Sequence, residues 1–138
     1  MSERMLVSTR KGLFFYERGG GEWELTRNAF LGDTLSLTVA DPRTGALYAA
    51  LDHGHFGAKL HRSTDEGSTW EEIATPEYPE PPGGYVEIDD FGREIPWSLK
   101  KIWAITPGGP DQEGVLWCGT MPGGVFKSTD GGDSWEIV

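Results

Sequence analysis

Two histidines and an aspartate lie within four positions, in the segment Asp52-His53-Gly54-His55. Imidazole nitrogens and carboxylate oxygens are ligands for zinc and similar cations. Since no second cluster in the sequence supplies the remaining ligands, we predict no metal and no cofactor, and the alternative is a polar loop. A histidine that titrates near neutral pH can also bind a substrate or transfer a proton. We therefore name Asp52 and His53 as candidate catalytic residues and His55 as a candidate ligand-binding residue.

Three more aspartates, Asp33, Asp89 and Asp90, are candidates for acid–base chemistry or for binding. Two carboxylates can provide a general acid and a general base when a suitable distance separates them. The sequence does not give that distance, and among 22 Asp and Glu residues the alternative for each one is a solvated loop position. We assign Asp33 to the candidate catalytic group, and Asp89 and Asp90 to ligand binding. The third histidine, His61, lies on a predicted strand, and we interpret it as a surface residue.

The segment 76–99 is rich in proline and glycine, and a loop of this length without secondary structure is usually functional or mobile. It contains Tyr85, Phe91 and Trp97, whose aromatic faces can bind sugars and other amphipathic ligands. It also contains Arg93, which can bind an anion. The alternatives are that the aromatic side chains hold the loop against the protein and that Arg93 pairs with the neighbouring aspartates. We assign Arg93 and Trp97 to ligand binding.

The charge of the chain limits its partners. With 12 Lys and Arg against 22 Asp and Glu, the formal net charge is −10. Like charge repels nucleic acid and anionic membrane surfaces, so we expect neither as a partner. The single cysteine, Cys118, cannot form an intrachain disulfide, and no apolar run approaches the length of a membrane span. The first residues contain no apolar core of signal-peptide length, and we expect a cytoplasmic protein.

Short apolar runs predict an all-β fold. The run 35–39 alternates with period two, while 47–51, 101–105 and 115–118 indicate buried strands. Two stretches, 34–75 and 100–138, repeat the same order of strand, turn, strand, loop, strand, turn and strand. Four antiparallel strands per repeat is the blade of a β-propeller. A degenerate copy over 5–27 lacks the first strand, so we predict about three blades, the first one incomplete.

Each of the two full repeats contains an eight-residue segment of the pattern Ser-x-Asp-x-Gly-x-Thr/Ser-Trp. We call these segments the first box (Ser63–Trp70) and the second box (Ser128–Trp135). Short Ser and Asp side chains bond to nearby backbone amides, Gly adopts a positive φ, and Trp packs under the turn. We therefore predict a structural role for the fixed positions, which are Ser63, Asp65, Gly67, Trp70, Ser128, Asp130, Gly132 and Trp135.

On these boxes the sequence resembles the Asp-box, or BNR-repeat, β-propeller proteins. That superfamily includes sialidases, other propeller glycosidases, sortilin-type receptors and photosystem assembly factors. More narrowly, the chain is similar to the N-terminal part of BNR-like or glycosyl-hydrolase-like bacterial proteins, and the resemblance covers all three blades. It implies that the boxes lie on the face opposite the active site of the glycosidase members.

The sialidase members use a Tyr nucleophile with a Glu, and three arginines that bind the sialate carboxylate. Of such a set, this chain offers only Arg10, which we name as the fourth candidate catalytic residue. The Phe-Arg-Ile-Pro signature is absent, and the segment 93–96 (Arg-Glu-Ile-Pro) only echoes it. The chain therefore lacks a complete catalytic set, and its enzymatic status stays open, with glycoside hydrolysis as the activity in question.

We predict a single partial propeller over 1–138, with blade 1 at 5–27, blade 2 at 34–75, a loop insertion at 76–99 and blade 3 at 100–138. Three blades are fewer than the ~4–8 of closed propellers. We expect either a fragment of a longer protein, which we favour, or closure by association of several copies. Open blade edges provide a route to self-association.

Because antiparallel strands alternate in direction, the loops 28–34, 52–58 and 75–99 are predicted to share the face opposite the boxes. We expect this face to bind a carbohydrate or a protein partner. One alternative is a sialidase-like glycoside hydrolase whose active site is completed by missing blades. The other alternative is an assembly or scaffolding factor.

Overall fold

A computed structural model describes residues 3–138 and shows an all-β protein. Two 3-10 turns, Gly54–Phe56 and Pro82–Gly84, accompany the strands. Met1 and Ser2, which the predicted unit 1–138 includes, lie outside the described residues. The strands of residues 3–138 are β1 (Glu3–Thr9), β2 (Gly12–Arg18), β3 (Glu24–Ala29), β4 (Thr34–Ala40), β5 (Leu47–Asp52), β6 (Ala58–Ser63), β7 (Glu71–Ile73), β8 (Glu87–Ile88), β9 (Glu94–Ile95), β10 (Lys101–Pro107), β11 (Leu116–Met121), β12 (Gly124–Ser128) and β13 (Glu136–Ile137).

Eleven of the thirteen described strands form three antiparallel sheets that follow one another along the chain. Blade 1 is the three-stranded sheet β1-β2-β3, blade 2 is β4-β5-β6-β7, and blade 3 is β10-β11-β12-β13. Within each blade, neighbours in sequence are neighbours in space, which is the meander expected of a propeller blade. The prediction of four-stranded antiparallel blades with an incomplete first blade is confirmed.

The insertion contains a small hairpin that the sequence analysis did not predict. β8 pairs with β9 through Glu87↔Ile95 and Ile88↔Glu94. Strands of two residues are too short to show a periodic pattern. Asp89 forms the turn, since its Oδ1 accepts hydrogen bonds from the backbone N–H groups of Phe91 and Arg93, both at 2.9 Å. The segment therefore has secondary structure of its own.

Each blade has a leading face towards the preceding blade and a trailing face towards the following one. Alternate residues of β5 lie in different cores: Leu47, Ala49 and Leu51 pack against blade 1, whereas Tyr48 and Ala50 pack against blade 3. Because both faces of β5 are covered, its sequence is continuously apolar. The cores are completed by Leu13 and Phe15 from blade 1, and by Ile102, Leu116, Cys118 and Phe126 from blade 3.

The first box is a turn closed by its own side chains. Ser63 Oγ donates to Asp65 Oδ1 and accepts from the Gly67 N–H, both at 2.8 Å. Asp65 accepts from the Thr69 N–H at 2.8 Å and from Thr69 Oγ1 at 2.5 Å. The hydrogen bonds from Thr69 lower the pKa of Asp65 to about 2. The carboxylate is therefore the form that the turn binds.

The second box repeats this arrangement. Ser128 Oγ donates to Asp130 Oδ1 at 2.8 Å and accepts from the Gly132 N–H at 2.9 Å. Asp130 accepts from the Ser134 N–H at 2.9 Å and from Ser134 Oγ at 2.5 Å. The Ser134 hydrogen bond lowers the pKa of Asp130 to about 2. Two turns 65 positions apart thus share these Ser and Asp side-chain hydrogen bonds, whereas Trp70 donates to the Gly67 carbonyl inside its box and Trp135 to the Ala74 carbonyl outside it.

An arginine of the preceding blade holds the fourth residue of each box. Arg27 of β3 donates from Nη1 to the carbonyl oxygen of Glu66 at 3.1 Å. Arg62 of β6 donates from Nη1 to the carbonyl oxygen of Gly131 at 3.0 Å. Each guanidinium also contacts the side chain of the sixth residue, which is Ser68 at 3.3 Å in the first box and Asp133 at 2.9 Å in the second. The box is therefore the contact between blades as well as a turn.

An aromatic ring of the preceding blade lies beneath each box. The Tyr48 hydroxyl donates to the Gly131 carbonyl at 2.9 Å. A Cβ added to Gly67 would lie 2.5 Å from Cζ of Phe15, so the ring packs directly on the glycine. Gly67 has a φ of +86° and Gly132 a φ of +97°, which side chains rarely adopt. Glycine at the fifth position is thus required by the backbone and, at Gly67, by the neighbouring blade.

A further arginine joins the turns before β5 and β11. Arg43 Nη2 lies 2.7 Å from Asp41 Oδ2 and donates to the Val115 carbonyl at 2.9 Å. The hydrogen bond from Arg43 lowers the pKa of Asp41, although burial opposes this shift. Both side chains are nearly buried, and the pair connects blade 2 to blade 3.

Replacing Gly67 by Ala will destabilise the protein by about 1–3 kcal/mol more than replacing Gly20 by Ala, because the new Cβ would overlap Phe15. Gly20, in the blade 1 turn, is the matched control: it has a φ of +105°, and a Cβ there meets no heavy atom within 4 Å. Equilibrium urea unfolding of both variants measures the difference. Equal losses of stability would contradict the proposed contact between the box and the preceding blade.

Candidate functional site

The candidate catalytic residues lie where the loops of blades 1 and 2 meet. Thr34 Oγ1 donates to the Arg10 carbonyl at 3.2 Å, which joins the loop after β1 to the start of β4. His53 Nδ1 lies 3.9 Å from Asp33 Oδ1. Asp52 directly precedes His53 at the end of β5. The structure therefore brings His53 close to Asp33, with Asp52 next to it in the chain, and we call these three residues the loop cluster. The Arg10 side chain is not part of it, since it lines a separate cavity of blade 1 with Phe14 and Tyr16.

Within the loop cluster, the carboxylates have different surroundings. Asp52 Oδ1 accepts from the Gly54 N–H at 3.1 Å, so this carboxylate stabilises its own turn. Asp33 lies at ion-pair distance from His53, and both side chains are partly exposed. An imidazole beside a carboxylate can bind a hydroxyl group or transfer a proton. His53 and Asp33 are therefore the pair with the geometry for such chemistry.

His61 is not the surface residue that the sequence analysis predicted. Its ring packs edge-on against Phe30, with centroids 5.0 Å apart. Its Nδ1 is buried and makes no hydrogen bond to any of the described residues. Burial lowers the pKa of His61, with smaller effects from Glu72 and His53. A strand position next to a polar box gave no sign that Phe30 would cover it.

His61 lines an open cavity of about 450 Å³ beside the loop cluster. Lys59 and Glu72 form an ion pair at 3.3 Å on its wall, and His53 and Phe56 also line it. His55 is exposed on the 3-10 turn, where its ring contacts Phe56 at a centroid distance of 5.6 Å. His53, rather than His55, thus faces this cavity.

The other candidate ligand-binding residues lie in the insertion. Arg93 Nε donates to Asp89 Oδ2 at 2.8 Å, so these two residues pair with each other. Backbone hydrogen bonds, that of Arg93 first, lower the pKa of Asp89. Asp90 is exposed at the tip of the hairpin. The structure therefore shows the alternative given for Arg93, which was an ion pair with a neighbouring aspartate.

Trp97 lies in a cleft of about 500 Å³ between the hairpin and the preceding proline-rich segment. Its Nε1 donates to Glu87 Oε2 at 3.1 Å, and its ring is 6.3 Å from that of Tyr85. The Tyr78 hydroxyl hydrogen-bonds to Thr120 Oγ1 and to the Pro122 carbonyl, which attaches the insertion to blade 3. The cleft is lined by Tyr78, Tyr85 and Trp97, by the carboxylates Glu80, Glu87 and Glu94, and by prolines and aliphatic side chains.

Sequence reasoning missed Tyr78 and the three glutamates of this cleft. The sequence feature that could have indicated them is the mixture of aromatic, acidic and proline residues along 77–97. None of the described contacts joins the cleft to the loop cluster, so the predicted site residues form two separate groups. Within residues 3–138, no three His, Cys, Asp or Glu side chains group closely enough to hold a metal ion. No helix in that range could cross a membrane.

Comparison with known proteins defines the class. No family model matches the chain. In an alignment of 116 residues that covers 78% of the chain, it is 28% identical to xyloglucanase Xgh74A of Acetivibrio thermocellus, and it spans only 12% of that protein. The solved structure described as YCF48 bound to D1 peptide superposes with a TM-score of 0.51 at 14% identity, covering 99% of this chain and 42% of that one. The chain is thus a set of β-propeller blades.

The half-buried His61, whose Nδ1 is enclosed, leads us to expect that stability depends on pH. Since its pKa in the folded state lies below the ordinary value of 6.5, folding favours the neutral ring. Its contribution is present above about pH 6.5 and is lost as the pH falls towards the lowered pKa. We expect the loss of urea stability between about pH 7.5 and about pH 5.5 to be smaller in His61→Phe than in the parent protein.

His55→Gln is the control, because His55 is exposed. The urea stability of this variant should change with pH as that of the parent protein does. A His61→Phe variant whose stability falls with pH as steeply as that of the parent would show that His61 is not the responsible group.

Proposed function

We propose that the chain is an Asp-box, or BNR-repeat, propeller segment that binds a neutral carbohydrate in the cleft of the insertion. The proposal rests on one observation: Trp97, Tyr85 and Tyr78 surround a cleft whose remaining polar side chains are carboxylates. Aromatic rings stack on the apolar faces of sugars, and carboxylate oxygens accept hydrogen bonds from their hydroxyl groups.

The charge of the cleft favours a neutral ligand. Glu80, Glu87 and Glu94 line it, and none of the described residues in its lining is a Lys or Arg. An anionic sugar such as a sialate would be repelled by these groups and would find no bidentate arginine partner. The proposal therefore departs from sialidase chemistry. The similarity to a xyloglucanase, over 78% of this chain, supports a neutral polysaccharide as the ligand class.

The Asp-box assignment is part of the proposal. It is supported by two segments with the pattern Ser-x-Asp-x-Gly-x-Thr/Ser-Trp and by the identical hydrogen bonds of their Ser and Asp side chains. As part of the same proposal, the loops 28–34, 52–58 and 75–99 share one face that binds the ligand. On that face, the insertion supplies the cleft and the other two loops supply the loop cluster.

A second candidate function is glycoside hydrolysis by a larger propeller to which this chain contributes the loop cluster. The similarity to the xyloglucanase favours it, although the chain spans only 12% of that protein. Under this hypothesis, the neighbouring side chains of His53 and Asp33 hold or transfer a proton near the scissile bond. Groups outside this chain then complete the site. Glycoside hydrolases generally need two carboxylates at a defined separation.

Replacing Trp97 by Ala will weaken binding of soluble xyloglucan by about tenfold or more, because the variant loses a stacking face. Affinity electrophoresis in gels with and without the polysaccharide measures this effect. Phe91→Ala is the matched control, since Phe91 is an exposed aromatic of the same hairpin that does not line the cleft. Unchanged retardation of the Trp97→Ala protein, or equal losses in both variants, would refute the cleft as the binding site.

The hydrolase reading predicts release of reducing ends from xyloglucan, and loss of that release in Asp33→Asn with binding retained. A reducing-sugar assay, run beside the affinity gels, separates the two functions. Retardation without turnover supports binding alone. Turnover that Asp33→Asn leaves intact would exclude the loop cluster as the source of activity.

A further inference from the structure

We propose that the carbohydrate site is a groove of two adjacent subsites, in which a linear chain of several neutral sugar units lies on both sides of Trp97. Since the proposed function places the ligand in the cleft, this inference rests on that function and specifies its ligand as a chain rather than a single sugar. It is drawn from a second cavity that shares lining residues with the cleft.

The second cavity lies between the insertion and blade 3 and has a volume of about 300 Å³. Three side chains that line it also line the cleft, and these are Tyr78, Glu87 and Trp97. They therefore stand between the two cavities. The rest of the second cavity is formed by blade 3, through Pro122, Gly123 and Ile137.

Blade 3 forms this cavity with its leading face, which is the face towards blade 2. Ile137 of β13 is paired with Phe126 of β12. Directly paired residues of antiparallel strands have their side chains on the same face of the sheet. Phe126 is buried in the core that blade 3 shares with Tyr48 and Leu60 of blade 2. The second cavity is therefore bounded by the insertion and the leading face, and it does not involve the trailing face.

The side chain of Tyr78 is fixed between the two cavities. Its hydroxyl hydrogen-bonds to Thr120 Oγ1 and to the Pro122 carbonyl. Its ring packs edge-on against Phe126, with centroids 5.3 Å apart. A Cβ added to Gly124 would lie 3.2 Å from Cε1 of Tyr78, so glycine at this position lets the ring approach β12. A wall that is already ordered lowers the entropy cost of binding a ligand against it.

The two cavities offer the same chemistry. The Oε2 atom of Glu87 accepts from Trp97 Nε1 at 3.1 Å, which leaves the second carboxylate oxygen to accept from a ligand hydroxyl group. The aromatic rings of Tyr78 and Trp97 border both cavities, and Ile137 adds apolar surface to the second. None of the described residues that line either cavity is a Lys or Arg. Both cavities therefore fit units of one neutral, hydroxyl-rich chain.

A chain that fills both cavities binds more tightly than a unit that fills one, because the second contact is intramolecular once the first has formed. Cello-oligosaccharides are linear, neutral chains of glucose and provide a series of increasing length. Isothermal titration calorimetry should show that cellohexaose binds at least about tenfold more tightly than cellobiose.

The variant Gly123→Leu tests the second cavity alone. A Cβ at Gly123 meets no heavy atom within 4 Å, and its φ is not positive, so the leucine side chain enters the cavity without straining the fold. We expect this variant to lose the additional affinity for cellohexaose and to bind cellobiose like the parent protein. Trp97→Ala should weaken binding of both sugars, because Trp97 lines both cavities.

Gly19→Leu is the matched control, since Gly19 has the same free space and no positive φ but lies in the turn between β2 and β3. It should keep both affinities, and circular dichroism establishes that each variant is folded. Equal affinity for short and long chains, or tight binding of cellohexaose by Gly123→Leu, would overturn the second subsite and leave the cleft proposal intact. Absence of binding at every chain length would overturn this inference, and the xyloglucan gels then decide whether the cleft proposal fails as well.

Discussion

Packing of each box turn on the blade before it is the interaction on which the rest of the structure depends. A single blade is a small meander with two apolar faces and cannot bury both alone. In the box, the Ser and Asp side chains make hydrogen bonds within the turn, and a backbone carbonyl of the turn bonds to the preceding blade. The carbonyl at the fourth position accepts from an arginine of the preceding blade, and the glycine at the fifth allows a ring to approach. One turn therefore fixes both a hairpin and a blade junction.

The architecture was predictable from sequence because these requirements leave local patterns. Ser, Asp, Gly and Trp at fixed spacing specify a turn whose Ser and Asp side-chain hydrogen bonds are made within eight residues. The apolar run of β5 indicates a strand covered on both faces. The arginines that join blades left no such pattern: Arg27 lies on an outermost strand and Arg62 on the strand before it, so their common role depends on packing alone.

The candidate site was predictable only in part, for the same reason. Loops that share a face follow from strand direction, and the structure places Asp33 beside His53, whereas the Arg10 side chain lines a separate cavity. The cover of His61 by Phe30 depends on how blade 1 packs on blade 2, which no local pattern encodes. The cleft of the insertion depends on the hairpin β8–β9, whose two-residue strands lie below the length at which alternation appears.

The use of positive charge at the blade junctions has a consequence for the ligand face. Of 12 Lys and Arg residues in the chain, Arg27, Arg43 and Arg62 bind backbone carbonyls or carboxylates between blades, on the side of the boxes. Acidic residues also take part in these junctions, since Asp41 pairs with Arg43 and Asp133 with Arg62, whereas Glu80, Glu87 and Glu94 line the cleft. These three arginines are therefore engaged away from the cleft, whose described lining contains carboxylates and no Lys or Arg. A surface of aromatic rings and carboxylates favours neutral, hydroxyl-rich ligands over anions, because its carboxylates accept hydrogen bonds from hydroxyl groups and none of its described residues compensates a negative charge.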